Sequence, residues 1–293
     1  MTTFWLLTKR NIKLFFKDKG MFLTSLITPL ILLVLYITFL GNLYKDAYQG
    51  IGLSDELING FVAGQLVSSI LAVSCVTVAF SSNFLMVQDK VTGAIKDITI
   101  TPVKSKTLSL SYYLSSLAAT FIICFSALGI GLIYIAIAGW YLSFIDVMLL
   151  ALDVFILVMF GTAISSVINY FLSSQGQISA VGSIVSSCYG FICGAYMPIA
   201  TFSTGLQKVL SFLPGTYGTS LLRTHALNGP FKQAEIDGVS VEAIKSLEES
   251  LDINVSFFNT NVSELTKFII IGGCTILLII AYVFINKMKS KKI

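Results

Sequence analysis

Residues 60–86, GFVAGQLVSSILAVSCVTVAFSSNFLM, run for 27 positions without a charged side chain, and residues 87–107, VQDKVTGAIKDITITPVKSKT, then bring in six charges. A hydrocarbon core about 30 Å thick asks for about 20 apolar residues in a helix, so the first stretch reads as a membrane span and the second as the polar segment that follows it. Further apolar runs lie at 21–41, 108–139, 144–170, 178–197 and 266–286, giving six predicted spans in all. The run at 21–41 ends at Gly41-Asn42-Leu43 with no small-residue cleavage pattern, and is read as a retained span rather than a removed signal. Composition agrees. Hydrophobic residues make up 55% of the 293, charged ones 12%, and the mean hydropathy is +0.86, whereas soluble domains carry about 25% charged residues. The expected fold class is an all-α integral membrane protein, with no basis for nucleic-acid binding.

Cations set the orientation. With the N-terminus cytoplasmic, 13 of the 19 Lys and Arg fall in inner segments, around Lys9 to Lys19, Lys90 to Lys106 and Lys287 to Lys292, and most of the others lie in one long outer loop. Six spans with both termini inside satisfy this count, and most acids then lie outside. The five cysteines all sit in apolar stretches with no C-x-x-C pattern, and read as packing residues.

Five segments are more than simple spans. Residues 1–20 plot as an amphipathic helix lying in the interface, with Lys9, Arg10, Lys13 and Lys17 in one sector and Phe4, Leu7, Ile12, Leu14 and Phe15 in the other. The remaining chain, 21–293, forms one six-span domain. Within it, residues 87–107 exceed a plain connection, and their spacing predicts a short cytoplasmic helix that stops before Pro102. The fifth span carries Ser179, Ser183 and Ser187 at four-residue spacing and continues with Gly190 and Gly194, while the second carries Gly60, Gly64, Ser68, Ser69 and Thr77. Small residues at this spacing serve helix packing within one subunit, or line a pathway or a seam between subunits. Within 198–265, residues 199–222 remain largely apolar around Pro214-Gly215 and predict two short re-entrant helices. Residues 223–265 are expected to form a small external subdomain with a helix at VEAIKSLEES.

Chemistry is sparse. The single histidine, His225, falls in the external segment, and no G-x-S-x-G, H-E-x-x-H or G-x-x-x-x-G-K-[ST] pattern occurs, so the chain reads as neither an enzyme nor a P-loop nucleotide binder. Asp153 is the one carboxylate well inside a predicted span. It points either to ion coupling or, as favoured here, to an acid bonded by neighbouring hydroxyls.

The order of these parts resembles the permease subunit of the type-2 ABC exporter family, also called type V ABC exporters. The loop carries Asp89-Lys90, Gly93, Ile95-Lys96-Asp97 and Thr101-Pro102, with Asp where Glu is usual in the family and Ala94 where Thr is frequent. Met197-Pro198, Leu213-Pro214, Tyr217 and Leu221-Leu222-Arg223 are similar to the family's paired external re-entrant helices, and Pro198, Pro214 and Tyr217 mark that segment. The resemblance implies a partner complement of two separate ABC ATP-binding subunits, which hold ATP and Mg, and a second permease chain, identical or homologous. It implies no cofactor or metal on this chain. Lys9, Lys13, Asp89, Lys90, Gly93, Lys96, Asp97 and Pro102 would couple to the ATP-binding subunits, and Ser68, Ser69, Thr77, Ser179, Ser183 and Ser187 would line the substrate path. The expected activity is export of a hydrophobic or amphipathic small molecule, toxin or lipid-like compound across the plasma membrane, since the chain looks similar to drug- and toxin-export permeases. A polysaccharide- or lipid-exporting permease, an ion-coupled carrier acting through Asp153, and a non-transporting membrane sensor are the competing expectations.

Overall fold

A computed structural model describes residues 2–48, 52–257 and 260–289. Its elements in chain order are α1 (Thr2–Lys17), α2 (Lys19–Leu35), α3 (Gly41–Tyr48), α4 (Asp55–Val91), α5 (Ala94–Ile100), α6 (Ser105–Ala138), α7 (Phe144–Phe171), α8 (Gln175–Ile192), α9 (Thr204–Leu210), α10 (Pro214–Ile236), α11 (Val241–Ser250), β1 (Ser256–Phe257), β2 (Thr260–Asn261) and α12 (Glu264–Lys289). A π-helical segment, Tyr36–Leu40, joins α2 to α3. The two short strands pair antiparallel, Ser256 with Asn261 and Phe257 with Thr260. The chain is thus an all-α membrane protein.

Among the described residues, five helices are long and apolar enough to cross a membrane: Lys19–Asp46, Asp55–Thr92, Ser105–Ala138, Phe144–Phe171 and Glu264–Lys287. They cover the predicted spans 21–41, 60–86, 108–139, 144–170 and 266–286. The predicted span 178–197 appears as α8, whose 18 residues end at Ile192 and are not among those five. It stops early because the chain turns at Gly194, where φ is +76°, a conformation favoured by glycine.

Local chemistry sets the helix ends. Ser54 caps α4 by accepting from the Leu57 amide, with Asp55 and Glu56 in the first turn and Lys90 in the last, each sign suiting the helix dipole. Ser143 and Asp146 form a reciprocal capping box on α7. At 37 residues α4 extends for about 55 Å, well beyond the apolar core of a bilayer, so its ends project.

α4 is also the hub. It packs against α2, α6, α7, α8 and α10, and 83% of its most apolar window is buried against 17% for α12. The peripheral helices turn isoleucine and leucine outward, as at Ile130, Ile133 and Ile137 on α6 and Ile276, Leu277 and Ile280 on α12. A lipid-facing surface requires this. Two glycines admit the closest crossings. A Cβ at Gly161 of α7 would collide with the backbone carbonyl of Cys75, and one at Gly64 of α4 would lie 2.8 Å from the carbonyl oxygen of Ala226 on α10.

The segment after α8 departs from expectation. Pro214 does not break a helix but occupies the first turn of α10, where its missing amide hydrogen goes unmissed. α10 then continues for 23 residues to Ile236, with Arg223, His225, Leu227 and Phe231 buried. Residues 223–236 therefore belong to the packed helical body, and the soluble-looking part narrows to α11 and the strand pair.

Replacing Gly161 with Val should lower thermal stability by about 1–3 kcal/mol through overpacking. Gly129→Ala, at a helical site open to its surroundings, should be neutral or stabilising by up to about 1 kcal/mol. Fluorescence-detected size-exclusion chromatography after graded heating compares the two.

Candidate functional site

The first candidate region lies where α4 gives way to α5. Gly93 joins them with φ of +86°, and since the described residues leave the space within 4 Å of a Cβ at this position open, conformation rather than crowding favours glycine. α5 buries none of its residues, and its helix ends at Thr101, before Pro102 as the sequence predicts. Lys96, Asp97 and Pro102 are exposed, and Ile100 at the tip is 84% exposed. Lys9 and Lys13 on α1 are exposed as well. Between α1 and α5 runs a groove of about 950 Å³ bordered by Phe4, Leu7, Asp97, Ile98, Pro102 and Lys104.

Asp89 and Lys90 behave differently from their loop neighbours. Both lie in the last turn of α4 and bind within the chain. Asp89 is 6% exposed; its Oδ2 accepts from Arg10 Nη1 at 2.8 Å and from the Tyr112 hydroxyl at 2.6 Å. Arg10 thus leaves the cationic sector expected of it, and hydrogen bonding to Asp89 pushes its guanidinium above the ordinary value despite partial burial. Lys90 Nζ donates to the carbonyls of Tyr170 at 2.6 Å and Leu172 at 3.0 Å, at the C-terminal end of α7. Together these bonds tie the end of α4 to α1, α6 and α7.

The hydroxyls expected along one path fall in two places. Ser68, Ser69 and Thr77 are buried in α4, where Ser68 donates to the Gln65 carbonyl and Thr77 to that of Val73. Ser179, Ser183 and Ser187 are exposed on α8. α8 touches the body through Ile178, Val181, Val185 and Tyr189 and leaves its serine face uncovered. That face borders a cleft of about 1110 Å³, walled by Ile27, Ile31 and Phe39 on one side and Ser183, Ser187 and Phe191 on the other. Pro198 and Leu251 close one end, and none of the described residues lining it is charged. Tyr217 is buried outside the cleft and donates to the Ser211 carbonyl at 2.5 Å, pinning the turn that leads into α10.

A third cluster leaves little trace in the sequence. Arg223, fully buried, donates from Nη1 to Asp252 Oδ2 at 3.1 Å and from Nη2 to the Gly194 carbonyl at 2.5 Å. Asp252 also accepts from the Ile199 and Ala200 amides. Burial pushes its carboxyl up while Arg223 and those amides draw it back. Lys267 Nζ donates to Ser220 and to the Ile253 carbonyl. The one clue is a lone arginine following Leu221-Leu222 in an apolar stretch. Asp153, expected among hydroxyls, instead receives His225 Nδ1 at 2.6 Å; the histidine expected in an external loop sits on buried α10.

These elements make up a multi-pass helical membrane bundle with a short exposed helix between its second and third spans. The chain matches the family described as ABC-2 type transporter over residues 2–226 and belongs to that family. It is an ABC transporter permease, and permeases of this kind partner with an ATP-binding subunit. A comparison with curated proteins finds no match.

The Arg10–Asp89 pair is open to a direct check. A double-mutant cycle with Arg10→Gln and Asp89→Asn should give a coupling of about 1–2 kcal/mol in thermal or denaturant unfolding, whereas Lys9→Gln with Asp89→Asn should be additive.

Proposed function

We propose that this permease exports an uncharged or weakly charged hydrophobic or amphipathic compound, of the drug, toxin or lipid-like kind, driven by ATP hydrolysis on two separate ATP-binding subunits. The carrying observation is Ile100. An isoleucine 84% exposed at the tip of α5, beside the groove that Phe4, Leu7, Ile98 and Val103 line, extends an apolar patch that faces water if the cationic segments are cytoplasmic, and such a patch asks for a protein partner to cover it. Closure of the ATP-binding subunits would press on α5 and on Lys9 and Lys13 of α1. Asp89 and Lys90 would act from inside, by fixing the helix on which that load falls.

The cargo reading draws support from the uncharged cleft between α2 and α8. Its walls suit a molecule with an apolar body and a few hydroxyl partners. α8, about 27 Å long, would serve as the sixth span, with both termini on the cytoplasmic side of the plasma membrane as the cation distribution favours. A second permease, identical or homologous, would cover the exposed serine face, so that Ser179, Ser183 and Ser187 meet the path from the seam. Ser68, Ser69 and Thr77 would support α4 behind it.

Ile100→Asp should leave the permease folded and in the membrane yet lower its hold on the ATP-binding subunit roughly thirtyfold, the effect of losing about 2 kcal/mol at an interface anchor. Gly93→Pro, which cannot adopt the positive φ, should keep both subunits together and abolish cargo-stimulated ATPase. Mild-detergent co-purification with an ATPase assay reads both, and retention of full coupling by both variants sinks the α5 assignment.

A further inference from the structure

We propose that Glu264, His225 and Asp153 form a proton-binding site reached from the face that carries α11, with His225 Nε2 as the atom that takes the proton. The three residues come from three helices and run inward in order. Glu264, at the start of α12, has a side chain 57% exposed; His225 of α10 has a side chain 4% exposed; Asp153 of α7 has none of its side chain exposed. Glu264 Oε2 lies 3.8 Å from His225 Nε2, and His225 Nδ1 lies 2.6 Å from Asp153 Oδ2. Phe268 stacks over the imidazole and shields it from the side.

Two atoms of the cluster lack partners among the described residues. His225 Nε2 and Asp153 Oδ1 are buried with no hydrogen bond. An orphaned acceptor on a buried imidazole is costly unless something binds it. With Asp153 ionised, the ring hydrogen sits on Nδ1 and donates to the carboxylate, which leaves the Nε2 lone pair facing Glu264. A proton carried in on Glu264 breaks its O–H bond and forms the Nε2–H bond. The product is an imidazolium held between two carboxylates, and Glu264 is left ionised to accept the next proton from water.

The surroundings act on the cluster in both directions. The charged and titratable groups facing it are Asp146 on α7, held by Ser143 and Asn228; Lys267 on α12, held by Ser220 and Ile253; and the Cys75 thiol on α4. Lys267 opposes protonation and Asp146 promotes it. Because the site joins α7, α10 and α12, its protonation state reports the acidity of that face directly to the packing of three helices. It stands on this geometry alone and is independent of cargo or ATP.

The chain holds a single histidine, so nitrogen-15 histidine labelling of the full-length protein, purified on a histidine-free tag into lipid nanodiscs, yields one imidazole. Its nitrogen resonances should titrate reversibly between about pH 5 and pH 8. Asp153→Asn should lower the midpoint by about one unit or more, because the anion that stabilises the imidazolium is gone, and Glu264→Gln should lower it by less. An imidazole that stays in one state across that range overturns the proposal and makes the pair a fixed brace, as does a midpoint unmoved in both variants. If Asp153→Asn does not fold, the wild-type titration and Glu264→Gln decide.

Discussion

The fold depends on how closely α4 and α7 approach. In a bilayer the lipid tails are as apolar as leucine, so no hydrophobic force drives one span onto another, and close packing with interhelical hydrogen bonds must do so. At Gly161 the backbone of α7 meets the carbonyl of Cys75 with no side chain between them. One face further along, the Asn83 amide donates to Ser165 and Ser166, and the Asn169 amide donates to the Phe80 carbonyl at 3.3 Å. These bonds fix register as well as distance, because each donor meets its acceptor in only one alignment. With α7 locked, α6 and α10 close on the same hub, and polar residues of α4 such as Ser82 and Asn83 find partners inside protein rather than in lipid.

The two ends of that hub are built differently. At the α11 end, one ion pair together with backbone amides and carbonyls converges on buried Arg223, Asp252 and Lys267, and these bonds fasten the loop after α11 to α10 and α12. Truncating one partner there strands a buried charge, which costs more than the pair contributes. At the other end α5 has no fully buried residue, rests on the core through the half-buried Ile95 and Ile98, and hangs from Gly93. Between them α4 runs 37 residues without proline, so a push on α5 meets a stiff rod braced at Asp89 and Lys90 rather than a chain that can fold away.

The helical architecture is legible in the sequence because it rests on hydropathy and length, which are local. Five of the six predicted spans coincide with long apolar helices, and the α5 helix ends where Pro102 requires. Of the candidate coupling residues, the surroundings are legible only where side chains face outward: Lys9, Lys13, Lys96, Asp97 and Pro102 lie exposed, and Gly93 takes a positive φ. The helical wheel places Arg10 on a polar surface, and the loop reading turns Asp89 toward a partner subunit, because neither carries information about the neighbouring helix. A carboxylate 79 positions away that meets Arg10 leaves no periodic trace. The true length of α10 is hidden for a related reason: beyond Leu222 its Arg, Thr, His, Asn and Lys residues read as water-facing by composition.

That misassignment goes with an inversion between the two extreme spans of this molecule. Of the five spans, α12 has the highest window hydropathy, 2.8, and the lowest burial, 17%, while α4 has the lowest, 2.0, and the highest, 83%. Lipid selects the most apolar helices for the outside, and the protein interior receives those whose hydroxyls, amides and charges need partners. α10 extends the trend: Thr216, Thr219, Ser220, Arg223 and His225 are all buried. In a chain already known to be membrane-embedded, a polar helix flanked by apolar spans is therefore better placed at the centre of the bundle than in the solvent, and its charged residues are then sought in pairs.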